Sequence, residues 1–152
     1  MVDVLPLYRR LSWLPGGRRL FSWGYARAAP YFRTISPYVA RLEPHRADVV
    51  MADRKAVHNH IGTVHAIALC NGLEAAMGAL AEATVPTGMR WLPKGMTVEY
   101  LAPARGPVTC IARTTGADWA GAPDVPVAVE AVLDDGTVAV RGTIRLWVTP
   151  RR

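Results

Sequence analysis

The stretch "HAIALCNGLEAAMGALAEA", residues 65–83, places the tightest constraint on the fold. Ala66, Cys70, Leu73, Met77 and Leu80 recur at helical spacing, which predicts a helix from about His65 to about Ala83. Its other positions are mostly alanine and glycine, so neighbours can approach closely on several sides. Such a helix belongs inside a domain and not on its surface. Glu74 is the only formal charge between residues 56 and 81. Burying a carboxylate without a partner is costly. Glu74 therefore stands at an exposed edge, pairs with a distant arginine, or serves as a general base or nucleophile.

Beyond the helix the chain takes on the two-residue rhythm of strands. "GMTVEYLAPA" alternates, and "GPVTCIARTT" and "VPVAVEAVLDDGTVAVRGTIRLWVTP" continue the pattern. The "DDGT" at 134–137 predicts a hairpin in which Asp-Gly supplies the positive φ angles. Before the helix, "SPYVARLEPHRADVVMADR" ends in a strand-like run. One long helix and about five antiparallel strands predict an α+β fold with the helix against one sheet. A chain of 152 residues is most economically one domain, burying roughly 68–70% of its unfolded surface. With 51% hydrophobic and 20% charged residues, the composition excludes disorder of the whole chain.

The first third has a different character. Residues 7–36 read as short helices punctuated by "PGG" at 15–17 and by Pro30. "GRRLFSWGYARAAPYF" mixes aromatics with arginines at roughly helical spacing, as an amphipathic helix packed on the domain would, or a lid or membrane-surface helix. The net charge of +6 resides here: residues 1–46 hold eight arginines against Asp3 and Glu43, while ten basic residues balance ten acidic ones thereafter. Nucleic acid, an anionic membrane or a phosphorylated small molecule would suit such a patch. No RNA-recognition signature or zinc-finger spacing is present, which argues against nucleic acid. Arginines interrupt every apolar stretch near the N-terminus, and no run of about 18–20 apolar residues exists, so neither a signal peptide nor a membrane span is expected. The expected location is cytoplasmic.

The chemistry-bearing residues gather just before the helix: His58, Asn59, His60 and His65. The three histidines lack a Cys, Asp or Glu at a familiar ligand spacing, so no metal is expected. No GxSxG elbow occurs, and Cys70 and Cys110 form no CxxC pair. His65 and Glu74 are nine residues apart, about 13.5 Å and 2.5 turns of helix, so their side chains point to opposite sides. If both serve one site, a second copy of the chain must complete it. Free N–H groups around Ala66 and Ile67, at the helix start, suit an oxyanion, and the Asn59 amide can orient a carbonyl. Oxyanion donors and a carboxylate together fit acyl transfer or hydrolysis.

"NHIGTVHAIALCNGLEAA" resembles the signature of hotdog-fold acyl-CoA thioesterases of the phenylacetate-pathway type: Asn, then Gly-Thr/Val-x-His-Gly, then a helix bearing Asp or Glu. Asn59 to His65 is six residues and His65 to Glu74 nine, as in that pattern. "MTVEYLAPARGPVTCIA" is similar to the family's strand ending in a Tyr-Leu-x-Pro-Ala-x-x-Gly turn. The whole chain also looks like an uncharacterised hotdog branch, the domain of unknown function 4442. The resemblance spans about residues 37–149 and implies a hotdog domain at 37–152 preceded by a basic helical segment at 1–36. It implies a long central helix wrapped by an antiparallel sheet, paired into a homodimer, or a tetramer, with sites at the interface. It implies an acyl-CoA or acyl-carrier thioester as substrate and requires no cofactor. Glu74 would be the base or nucleophile, Asn59 would position the carbonyl or water, the Ala66 amide would form the oxyanion hole, and His65 would order the helix start. His60, Gly62, Lys94 and Arg105 are the substrate contacts expected. The chain departs from the pattern in carrying Ala66 where the family has glycine, and "WLPKGM" where a strand hydroxyl often stands. Two alternatives stay open: a non-catalytic acyl-binding module, and a dehydratase or hydratase using His60, or His58 in the Asp-x4-His spacing from Asp53.

Overall fold

The computed structural model describes residues 4–120 and 123–151. Two helices, α1 (Val4–Ser12) and α2 (Gly17–Ala28), and a 3-10 turn (Pro30–Ile35) precede strands β1 (Tyr38–Glu43) and β2 (Arg46–Met51). The long helix α3 (Ala66–Thr84) comes next, then β3 (Met89–Tyr100), β4 (Val108–Arg113), the short α4 (Gly116–Ala120), β5 (Asp124–Leu133) and β6 (Val138–Pro150). All strand pairs are antiparallel, in one six-stranded sheet of order β1-β2-β4-β5-β6-β3.

The expected helix and sheet are thus present, with one strand more than the periodicity indicates. The extra strand is β1, where the register slips between Val39 and Arg41. That bulge puts buried Val39 and Leu42 three residues apart, which erases the two-residue alternation by which a strand is read. The 134–137 hairpin also differs from expectation. Only Gly136 has a positive φ, at 86°, and Leu133 pairs with Thr137 around a three-residue loop. A type I turn closed by a left-handed glycine replaces the two-residue turn.

Alternation aims one sheet face at α3. Ala47, Val49 and Met51 of β2, Val108, Cys110 and Ala112 of β4, and Val125, Val127 and Val129 of β5 are all buried. The opposite face carries charge pairs: Glu130 binds Arg113 and Arg141, and Asp124 binds Lys94 and Arg145. Such exposed pairs contribute only about 0–1 kcal/mol each. Pro93 is tolerated within β3 because β3 is an edge strand, where a missing N–H costs no ladder bond.

Small residues set the helix-to-sheet distance. A methyl group on Gly72 would meet the Met51 sulfur and lie 2.6 Å from the Cys110 sulfur. On the far side of α3, a methyl on Gly78 would lie 3.1 Å from the Tyr25 hydroxyl of α2. That hydroxyl donates to the Ala75 carbonyl at 2.7 Å. Burial keeps the Tyr25 phenol protonated far above its ordinary range, and the nearby Glu82 and Glu74 charges add to this. Tyr8, Phe21 and Ile35 of the N-terminal segment join the same hydrophobic core as the sheet and α3. Residues 4–36 thus pack against the same core as the sheet and α3.

Gly72→Val should force the sheet off α3 and cost about 1–3 kcal/mol. Thermal unfolding followed by circular dichroism should show a midpoint lower by several degrees, roughly 2–4 °C per kcal/mol for a chain of this size.

Candidate functional site at the start of the long helix

The loop before α3 is built by its own side chains. Asn59 Oδ1 accepts from the N–H groups of Ile61 and Thr63, each at 3.1 Å, and its Nδ2 donates to Thr63 Oγ1 at 2.7 Å. Gly62, at φ 75°, makes the turn that a side chain would strain. His60, Ile61 and Gly62 form its exposed tip. The Asn59 amide expected to orient a carbonyl thus holds the loop together.

The loop delivers the chain to α3 through a side-chain cap. His65 is the N-cap: its Nδ1 accepts from Ile67 N–H at 3.1 Å, and its carbonyl accepts the first helical bond, from Leu69. The Ile67 amide named with Ala66 as an oxyanion donor is therefore occupied by the cap. The Ala66 amide precedes the first helical bond and stays available. No acidic side chain lies in the first turn, so the positive end of the helix dipole is uncompensated there.

Two separated sequence motifs meet at this point. Val64 N–H donates to the Ala104 carbonyl at 2.9 Å, and Gly106 N–H donates to Asp53 Oδ2 at 3.1 Å. The "YLAPA" turn after β3 is thereby fixed beside the helix start. Between them lies an open cleft of about 350 Å³, bordered by Asn59, Thr63, Ala66, Leu69 and the 100–104 turn. Cys70 faces Tyr100, with the sulfur 3.3 Å from the hydroxyl, and this hydrogen bond raises the Tyr100 phenol above its usual value. Spacing alone did not single out Tyr100, because a phenol that ends a strand has no signature until its partner helix is placed. Arg105 is exposed on the same turn.

Glu74 lies eight residues beyond Ala66, about 12 Å along the axis and roughly 80° around it. Ile67, Cys70 and Glu74 form one stripe at three- and four-residue spacing. Ile67 is exposed, and Cys70 and Glu74 are half-buried. Glu74 makes no hydrogen bond or ion pair among the described residues, whereas Glu82, the other carboxylate of α3, accepts from Trp91 Nε1 at 2.9 Å. The helix thus leaves a partly exposed stripe on which Glu74 is unpartnered. Lys94 is elsewhere: it binds Asp124, six residues up β3 from Tyr100, about 20 Å at strand rise.

A second, smaller cleft of about 200 Å³ opens on the other side of the helix start, bordered by Thr34, His58, His65, Ile67 and Asn71. His58 Nε2 bonds directly to Asp53, and this bond, with that from Gly106 N–H, holds the Asp53 carboxyl below its usual range. Asn71 is 5% exposed; its Nδ2 donates to Thr34 Oγ1, and its Oδ1 has no partner. No cluster of three metal-ligating side chains occurs among the described residues.

A model of the domain of unknown function DUF4442 matches residues 17–148. The chain belongs to this family. The match begins inside the basic helical segment, earlier than the resemblance in the loop and helix implies. A crystal structure from a genomics programme is 39% identical, covers 99% of this chain and all of its own, and has a TM-score of 0.86. A Pseudomonas aeruginosa protein of unknown function, described as a probable thioesterase, is 19% identical at a TM-score of 0.75, covering 91% of this chain and 97% of its own. A thioesterase family protein from Silicibacter pomeroyi is 20% identical at 0.71, covering 86% and 99%. The latter two share the fold of this DUF4442 chain: a long helix on a six-stranded antiparallel sheet. No curated protein matches the chain.

The two thiols differ in environment. Cys110 is fully buried, and burial pushes its thiol up to about 12, so almost no thiolate forms at pH 8. Cys70 is half-buried at the cleft edge. Iodoacetamide at pH 8 should label Cys70 alone in the folded protein, and both cysteines only after unfolding, as read by peptide mass. The Asp53 carboxyl, lowered by His58 and Gly106, stays ionised in the folded loop to more acidic pH than an ordinary aspartate. Its contribution is present at neutral pH and is lost as pH falls through the depressed value. Hydrogen exchange at Gly106, corrected for its intrinsic pH dependence, should lose protection at that acidic edge.

Proposed function

We propose that this protein is a hotdog-fold thioesterase that hydrolyses an acyl thioester, of coenzyme A or a carrier protein, at sites shared between two copies of the chain. The observation that carries this reading is the partly exposed stripe of α3. An unpartnered carboxylate at Glu74 lies about 12 Å from the open Ala66 amide, too far for both to reach one carbonyl within a single chain. A two-fold pairing of the exposed α3 stripes and β3 edges would bring each Glu74 towards the partner's helix start. The fold shared with proteins described as thioesterases supports it.

In this mechanism the thioester carbonyl sits in the cleft beside the 100–104 turn. Its oxygen is held by the Ala66 N–H and the positive end of α3, which stabilise the oxyanion as it forms. Glu74 of the other copy removes a proton from water, which attacks the carbonyl and expels the thiolate, or attacks directly, expelling the thiolate and forming an anhydride that water then hydrolyses to the free acid. Asn59 acts by holding the loop that presents Ala66, and His65 by capping the helix. His60 and Gly62 at the loop tip and Arg105 on the facing turn would meet the carrier portion of the substrate. Lys94, bound to Asp124 midway along β3, has no role at this cleft within one chain.

Glu74→Gln should lower kcat on an acyl-CoA panel by about 10²–10⁴-fold, while the elution volume on size exclusion stays that of the wild type. Undiminished turnover in that variant would remove Glu74 from the mechanism. Ala66→Gly, which puts the glycine of the thioesterase pattern at this position and withdraws a methyl from the carbonyl's approach, should keep or raise kcat/KM.

The Asp53–His58 pair favours a second reading, a hydratase acting on 2-enoyl thioesters, with the histidine held by the carboxylate as a general base for water. The two readings separate by substrate and variant. A hydratase would consume enoyl-CoA and lose activity in His58→Ala but not in Glu74→Gln.

A further inference from the structure

The N-terminal helical pair presents a surface that the cleft chemistry does not use. α1 and α2 bury Tyr8 and Phe21 towards the core and leave large apolar groups outside. Trp13 is 89% exposed and Leu14 58%, both in the turn between the helices. On α2, Leu20 is 57% and Trp23 60% exposed, beside Arg27, whose guanidinium lies 4.7 Å over the Trp23 ring. An apolar groove of about 390 Å³ runs between the helices from Leu7 to Trp23.

The same surface is cationic. Arg10, Arg18, Arg19 and Arg27 are exposed and take part in no ion pair among the described residues, unlike Arg41 and Arg46 just downstream. Arg19, Arg27 and Arg33 border a second cleft of about 440 Å³, with Trp23 and Tyr38. Exposed tryptophan and leucine ringed by arginine is the composition of a helix that lies in a bilayer interface: the rings enter the headgroup–acyl boundary and the guanidinium groups meet phosphate. A second copy of the chain fits this surface poorly, since a two-fold contact would set the same arginines against each other. A polyanion without apolar depth would leave Trp13 and Leu14 in water.

We propose that the α1–α2 pair docks on an anionic lipid bilayer, with Trp13, Leu14, Leu20 and Trp23 in the interface and Arg10, Arg19 and Arg27 on lipid phosphates. The site is independent of the thioesterase reading. It is peripheral: the only helix among the described residues long and apolar enough to span a membrane is α3, and most of it is buried in the core.

Co-sedimentation of the full chain with vesicles tests this. Vesicles of phosphatidylcholine mixed with phosphatidylglycerol should bind at least ~10-fold more tightly than phosphatidylcholine alone, and added salt should weaken the binding. The double variant Trp13→Ser/Leu14→Ser should bind at least ~10-fold more weakly, as should Arg10→Glu/Arg19→Glu. Unchanged thermal unfolding of both variants would exclude misfolding as the cause, as expected for exposed side chains. Equal or absent binding to the two vesicle types would overturn the proposal. So would a serine variant that binds like wild type, which makes the contact purely electrostatic, as for nucleic acid. A serine variant that changes the elution volume of the free protein would assign the face to a second copy instead.

Discussion

The close approach of α3 to the sheet is the contact on which the rest of this structure depends. Gly72 sits where any side chain would meet the sulfurs of Met51 and Cys110, so the helix backbone rests directly on the strands' side chains. Dispersion contacts fall off steeply with separation, and a gap of under 1 Å already forfeits much of the attraction. A helix rich in alanine and glycine lets both its sides be packed. The sheet takes one side, and α2 takes another through Tyr25, whose hydroxyl reaches the Ala75 carbonyl. Only a narrow stripe is left, and on it lie Ile67, Cys70 and Glu74.

That division of the helix surface has a chemical consequence. A helix packed on several sides has fixed its own position, so groups at its N-terminus are held without further support. The open Ala66 amide and the uncompensated dipole are presented by a rigid element, and the loop that delivers the chain to it is cross-linked by Asn59, Thr63 and the Val64–Ala104 bond. Preorganised donors of this kind cost no reorganisation when charge develops on a bound carbonyl. The carboxylate sits on the same rigid body, displaced along the axis. In the proposed mechanism, that displacement is why the carboxylate comes from a second copy.

Much of this was legible from residue order, and the parts that were not have identifiable causes. α3 ends within a residue of the bounds that periodicity indicates, because helical spacing over five turns is a strong local signal. β1 escaped because its bulge breaks the alternation. Asn59 was legible as a polar residue of the loop before α3, but its amide is occupied by the loop's own N–H groups, a local competition that type and spacing do not reveal. The Ile67 amide is occupied in the same way, by the His65 ring. Lys94 drew notice as a lone cation near the motifs, yet its partner Asp124 lies on β5, a strand that reaches it only through the sheet order.

The sequence by itself determined the long helix, its lone central charge, the angular separation of His65 from Glu74 and the basic character of the first third. Each comes from local periodicity or from counting, and local rules are the same in any fold. Tertiary structure alone decided which stripe of the helix stays partly exposed, that Glu82 is satisfied while Glu74 is not, and that the turn after β3 walls the helix start. The first and last rest on contacts between residues 40 or 50 positions apart, such as Val64 with Ala104 and Tyr25 with Ala75, and Glu82 meets Trp91 only once the chain has turned from α3 into β3. Their partners are chosen by the packing of the whole core, and no stretch of the chain encodes them alone.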